Sequence, residues 1–409
     1  MKNKDIKILM IYPEKQTEGI RFFPLGFYIA SSILHKNGFI VECLDLSFYN
    51  DYKSAVLNKL QSYYPNVLGF SICSSTNYKY ALDIIKELSL AEDFPIVFGG
   101  QHMRPPTEKE NGFYKAIIGD LERIESFFDR NLLCSQMETI DYSLVPFIEL
   151  YYPSLEISRG CWNHCQFCNS DNRYIEKDTK CIENELQKLS SLYPQNTILT
   201  LAGSNHLFRN WRKKGLMDVL LDYSKYFRFN FNLGIESDWE SEWDTIIRLN
   251  LWNIFAGIES CDENTLLRMQ KSKTPQLYIK KASEFLHRCK TDGVYLFATY
   301  IYGYPGQTLR EIDKLDDFFI KHSCNNINQI GFPCEAYPGT KLLTQRKRYE
   351  QLGVKYNKVY AEEGIEYYRL DISQDLRYDY LSKRSKKMYE IVNAHDLYTT
   401  NRCKGKMLE

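Results

Sequence analysis

The sequence has no excess charge of either sign. Among its 409 residues, 52 Lys and Arg stand against 52 Asp and Glu. A zero balance argues against a broad electrostatic nucleic-acid binder, which would usually be basic. No stretch approaches the roughly 18 consecutive apolar residues of a membrane span. Met1-Lys2-Asn3-Lys4-Asp5-Ile6 leads straight into a short apolar run, without the long apolar region and small-residue cleavage site of a signal peptide. The expectation is a cytoplasmic protein with neither a membrane nor a nucleic-acid partner. The signature of disorder, low hydrophobicity with high net charge, is missing too. Aromatic residues and cysteine are plentiful, with 31 Tyr, 23 Phe and 12 Cys. The aromatics supply bulk for a large core. In a cytosolic chain the cysteines read as thiols, metal ligands or catalytic groups rather than disulfides. The length suggests roughly two or three domains.

The chain reads as two α/β blocks. Residues 6–12, 39–46, 67–72, 95–98 and 114–118 are short apolar runs of strand character. Helical spacing separates the first four, and a helix is expected over 121–129. Strands alternating with helices imply a doubly wound parallel sheet. Such sheets bind ligands at the carboxyl ends of their strands, here Pro13, Ser71 to Thr76, Gly99 to His102, and Gly119-Asp120. A second series has strand-like runs at 155–158, 197–201, 229–235, 254–258, 295–301 and 327–332. Six βα units suggest a partial (β/α)6 barrel with its site at the strands' carboxyl ends. The expected domains are 1–135, a linker over 136–152, the barrel over 153–345 and a helical C-terminal region over 346–409. Within the barrel, Gly234-Ile235-Glu236-Ser237 recurs 23 residues later as Gly257-Ile258-Glu259-Ser260. That spacing suits one strand–helix unit and would set two carboxylates on neighbouring strands.

The informative run is Ser158-Arg159-Gly160-Cys161-Trp162-Asn163-His164-Cys165-Gln166-Phe167-Cys168. Its three cysteines follow the first strand of the second block. Thiolates select soft metals, zinc or iron–sulfur clusters. Structural zinc takes four protein ligands, so a fourth would have to be a distant Cys or else His164, which, adjacent to Cys165, is poorly placed. An iron–sulfur cluster held by three cysteines keeps one iron open.

The C-x3-C-x-aromatic-C run closely resembles the signature of the radical S-adenosylmethionine (radical SAM) superfamily. The resemblance implies that Cys161, Cys165 and Cys168 hold a [4Fe-4S] cluster. It implies that this cluster cleaves SAM to methionine and a 5′-deoxyadenosyl radical, using an electron from a donor such as flavodoxin or ferredoxin. Phe167 matches the aromatic that lines the adenine pocket. The segment from Gly257 to Lys271 resembles the family's fourth-strand segment, which implies that Glu259 and Lys271 lie near SAM. Glu236 would face the ribose. Residues 301–308 and 337–340 resemble the segments after the fifth and sixth strands. The chain departs from the family in having Leu201-Ala202-Gly203-Ser204-Asn205 where Gly-Gly-Glu or Asp-Asp is common. Gly203 and Ser204 would then serve the SAM ammonium. Gln307 also stands where Glu is more usual.

The N-terminal block, with Pro24-Leu25-Gly26 and Phe98-Gly99-Gly100-Gln101-His102, resembles the cobalamin-binding domain that precedes many radical SAM barrels, the class B type. This implies cobalamin contacts at Ser71, Gly99, Gly100 and Gly119. There is no Asp-x-His-x-x-Gly motif to ligate cobalt. The implied enzyme is a cobalamin-dependent methyltransferase acting on an unactivated carbon of a small molecule or peptide-derived natural product. The alternative is a cobalamin-free radical SAM enzyme of epimerisation, dehydration, rearrangement or ring formation, with a vestigial N-terminal domain. A third reading is a zinc-stabilised binding protein. Cys334, after the sixth strand, is a candidate hydrogen-atom donor, although cysteine is commonly just a small buried hydrophobe. Tyr295, Tyr300, Tyr302 and Tyr304 crowd the fifth strand and read first as packing.

Overall fold

The computed structural model describes residues 6–15, 21–100, 114–117, 137–170, 173–203, 211, 215–360 and 366–393. The expected helix over 121–129 lies outside them, as do Ser204 and Gly119. The chain forms two compact units. Among the described residues no helix is long and apolar enough to cross a membrane.

The first unit is built on β1 (Lys7–Tyr12), α1 (Leu25–Lys36), β2 (Ile40–Asp45), α2 (Tyr52–Tyr63), β3 (Val67–Ser71), α3 (Ser75–Glu87), β4 (Ile96–Gly99) and β5 (Lys115–Ile117). The strands are parallel, in the order β2-β1-β3-β4-β5. Alternation along β1 explains why the sheet is covered on both faces. Ile8 and Met10 enter one cluster with Phe27, Ile33 and Val41. Leu9 and Ile11 enter the other with Leu68, Phe70, Ile85 and Phe98. The order reverses between β1 and β3, which opens a crevice at their carboxyl ends. Gly69 lies in mid-strand, where a Cβ would fall 2.5 Å from Met10 Sδ and push that side chain aside. The segment expected to be a linker contributes Ile140, Val145 and Tyr151 to this unit's core. Tyr151–Tyr152 also pairs with Arg21–Phe22.

The second unit carries a six-stranded sheet. Its strands are β6 (Ser154–Glu156), β7 (Thr197–Ala202), β8 (Phe227–Asn232), β9 (Leu251–Glu259), β10 (Leu296–Tyr302) and β11 (Ile327–Pro333). They lie in chain order, and β7 to β11 pair in parallel. The helices include α4 (Trp239–Arg248), α5 (Pro275–Thr291) and α6 (Leu309–Lys321). This is the expected partial barrel. An open barrel leaves unpaired groups on its last strand. Here α7 (Tyr378–Val392) and the residue after it cover β11. Asn393 accepts from the Gln329 N–H and donates to the Gln329 carbonyl, and Ser385 donates to the Gly331 carbonyl.

The C-terminal region, expected to be helical, also contains β12 (Lys355–Tyr360) and β13 (Glu366–Asp371). β13 lies between β12 and Glu335–Ala336 in a small sheet. The fifth-strand tyrosines serve packing. Tyr300 and Tyr302 are buried and donate to Gln329 and Asp316.

Candidate functional site

The three cysteines lie on a loop that the fold brackets closely. Ser158–Arg159 pairs antiparallel with Ile175–Glu176, so the loop leaves and returns at one place. Gly160 turns the chain with φ +75°, a conformation that costs glycine little. Arg159 is held by a two-pronged bond to Glu156, at 2.8 and 2.9 Å. In mid-loop the Gln166 N–H donates to the Met269 carbonyl at 2.9 Å, and its own carbonyl accepts from Leu342 N–H at 2.8 Å. Two distant segments therefore clamp the loop between Cys165 and Cys168.

All three thiols are free, and Cys168 is exposed. Burial raises the Cys161 thiol and pushes Cys165 up to about 11. Cys161 feels the charge of Cys168, and Cys165 feels both others. Among the described residues no three His, Cys, Asp or Glu side chains gather as a site for a metal ion. Neighbouring soft thiols beside a buried ammonium suit an anionic iron–sulfur cluster, which is larger than a single ion.

That ammonium is Lys271. Its side chain is buried and stands 3.6 Å from Glu259 Oε1. Burial disfavours the charge, but Tyr278, Glu259, Cys165 and Cys161 outweigh it and hold Lys271 above its ordinary value. Burial raises the Glu259 carboxyl, and Lys271 partly offsets the rise. The backbone there is unusual. Glu259 has φ +66°, and the β9–β10 pairing slips between Gly257 and Glu259. A bulge of this kind re-aims a side chain. The carboxylate folds back over Gly257, where a Cβ would meet Glu259 Oε1 at 2.2 Å. The Tyr278 hydroxyl reaches the carbonyls of Gly257 and Ile258, each at 3.1 Å.

The other carboxylate of the repeat comes to the same short segment. Ser272, next to Lys271, donates to Glu236 Oε1. One dipeptide, Lys271-Ser272, thus holds both glutamates. Sequence reasoning found Glu236, Glu259 and Lys271, quoted Gly257 without a role of its own, and missed Ser272 and Tyr278. The available signal was the adjacency of Ser272 to Lys271.

The remaining candidates are placed as follows. Gly203 follows β7 against Ser158, and a Cβ there would lie 2.3 Å from Ser158 Oγ. Phe167 lines a cavity of about 270 Å³ with Ile301, Phe332, Cys334, Glu335 and Tyr378. Cys334 is buried, with its thiol raised by burial, and its N–H donates to the Tyr302 carbonyl at 2.7 Å. In the first unit, Ser71 and Gly99 lie at the carboxyl ends of β3 and β4, where Ser71 pairs with Gly99. A Cβ on Gly99 would meet nothing within 4 Å, whereas Gly100, at φ +131°, packs onto the Ile72 carbonyl.

Residues 19–126 match the sequence profile of the B12 binding domain. The radical S-adenosylmethionine methyltransferase TsrM from Kitasatospora setae, solved with cobalamin and a [4Fe-4S] cluster, superposes with a TM-score of 0.69 at 14% identity. The match covers 95% of this chain and 92% of that one. The cobalamin-dependent S-adenosylmethionine radical enzyme OxsB, with aqua-cobalamin bound, gives a TM-score of 0.69 at 13% identity, covering 96% and 68%. The chain has the fold of the cobalamin-dependent radical SAM enzymes. TsrM with tryptophan and a SAM analogue bound matches as well, with a TM-score of 0.68 at 14% identity, covering 87% and 79%. No curated protein matches the chain in sequence.

Proposed function

We propose that this protein is a cobalamin-dependent radical SAM methyltransferase that methylates an unactivated carbon of a small molecule. The observation that carries the reading is the clamped cysteine loop beside the buried Lys271–Glu259 pair, on a chain whose residues 19–126 match the B12 binding domain. The tryptophan in one TsrM structure supports a small-molecule substrate.

When bound, the cluster and SAM supply the 5′-deoxyadenosyl radical, and cobalamin supplies the methyl group. This chain's residues hold and orient those groups. Cys161, Cys165 and Cys168 ligate the cluster. Lys271 offsets its negative charge and attracts the SAM carboxylate. Glu259 fixes Lys271, and Glu236 would accept from a ribose hydroxyl, a task that suits the acceptor oxygens of a carboxyl group. Phe167 would pack against the adenine, and the backbone at Gly203 would take the ammonium. Ser71, Gly99 and Gly100 would border the corrin. An electron donor of the flavodoxin or ferredoxin type would supply the electron.

The test is anaerobic incubation of reconstituted protein with SAM and dithionite, followed by product analysis. The wild type should form 5′-deoxyadenosine. Cys161→Ala, Cys165→Ala and Cys168→Ala should form none. Cleavage by a variant lacking all three thiols would refute the assignment.

A further inference from the structure

The Glu236 carboxylate is held asymmetrically. Its Oε1 accepts from Ser272, while Oε2 has no partner among the described residues. Ser272 itself has little freedom. It is 5% exposed, and its hydroxyl oxygen accepts from the Thr274 backbone N–H at 3.0 Å. A serine hydroxyl has one proton to give. With the Thr274 N–H on the oxygen, that proton is directed at Glu236. The far side of the Glu236 loop is tied down as well. Lys281 donates to the Ser237 carbonyl at 2.9 Å and pairs with Glu240 at 2.9 Å. A carboxylate anchored at one oxygen on an anchored loop cannot rotate freely, so its other oxygen is presented in a fixed direction.

We propose that Ser272 is a positioning residue that locks Glu236 so that its other oxygen reads one hydroxyl of the ribose of SAM. The inference rests on the proposed function and adds a residue and a chemical criterion to it. Ser272 need not touch the ligand. It acts through Glu236, and its effect is confined to the hydroxyl that Glu236 reads.

The experiment measures equilibrium binding of SAM and of its 2′-deoxy and 3′-deoxy analogues to iron-loaded protein. Ser272→Ala should weaken SAM by about five- to tenfold, the range of one net hydrogen bond. It should leave at least one deoxy analogue bound as in the wild type. Ser272→Thr, which keeps the hydroxyl, should restore SAM affinity. Glu236→Gln with Ser272→Ala should bind SAM no more weakly than Glu236→Gln alone. SAM affinity indifferent to Ser272→Ala, or an equal loss for SAM and both analogues, would overturn the inference while leaving the proposed function standing. Failure of iron-loaded wild type to bind SAM would instead overturn the proposed function, and the inference with it.

Discussion

The same four residues stand at the carboxyl ends of two neighbouring strands, beyond one and within the other, and meet different fates. In Gly234-Ile235-Glu236-Ser237 the strand has already stopped at Asn232, and the tetrapeptide is a turn. Ser237 closes it by donating to the Gly234 carbonyl at 2.6 Å. Its glutamate stays half-buried and takes a neutral hydroxyl as partner. In Gly257-Ile258-Glu259-Ser260 the strand runs on through Glu259. A bulge absorbs the extra residue, the backbone turns left-handed, and the glutamate is buried against an ammonium. Here the serine oxygen accepts from the Asp262 N–H at 3.1 Å instead. The tetrapeptide therefore does not set the role of its carboxylate. The point at which the strand ends does, because that decides how deeply the side chain is carried and what charge it must meet.

The comparison can be broken from the second copy first. Removing Lys271 leaves a buried carboxylate uncompensated, so Lys271→Met should cost about 3–5 kcal/mol in denaturant unfolding. Adding Glu259→Gln should recover part of that loss. An unchanged unfolding midpoint would show that the pair carries no such coupling. Gly257→Ala should come next, at about 1–3 kcal/mol, the range for forcing atoms into a filled site. In a Glu259→Ala background most of that cost should vanish, because the clashing oxygen is gone. Full additivity would mean that Gly257 is needed for its backbone alone.

The pH dependence gives a third contrast. Lys271 is held above its ordinary value of 10.5. The unfolded chain therefore loses this proton first as pH rises, and the folded state binds more protons. The stabilisation is complete below about pH 10 and declines above it. Unfolding measured from pH 9 to 11.5 should show that alkaline decline in the wild type and a shallower one in Lys271→Met. Ser272→Ala should keep the wild-type slope. The smallest effect is on stability in the first copy. Glu236→Gln should shift unfolding by less than about 1 kcal/mol, since it is half-buried and meets only a hydroxyl.

Much of the fold was legible because its signals are local. Short apolar runs such as 67–72 and 197–201 marked the strands, and strand–helix alternation implied parallel sheets. The cysteine loop was legible from spacing and from Arg159-Gly160. The clamp on that loop was not, because Gln166 meets Met269 and Leu342 through backbone groups that carry no residue preference. Lys271 was read, but Ser272 beside it was not, since a serine in a polar stretch carries no periodicity. β12 and β13 escaped notice because KYNKVY and EYYRLD are short and polar. They gain strand structure from pairing within a small sheet rather than from their own pattern. The segment around Ile140 and Tyr151 looked like a linker because its buried residues are too widely spaced for helix or strand.

The most direct test of the account is a cofactor inventory. The protein would be expressed with cobalamin supplied, purified anaerobically and reconstituted, then assayed together for iron, sulfide, zinc and corrinoid. The account predicts about four irons per chain, the content of one [4Fe-4S] cluster, with stoichiometric corrinoid and iron lost in the Cys161→Ala, Cys165→Ala and Cys168→Ala variants. Zinc without iron, or iron without corrinoid, would contradict it, the first at the cysteine loop and the second at the N-terminal sheet.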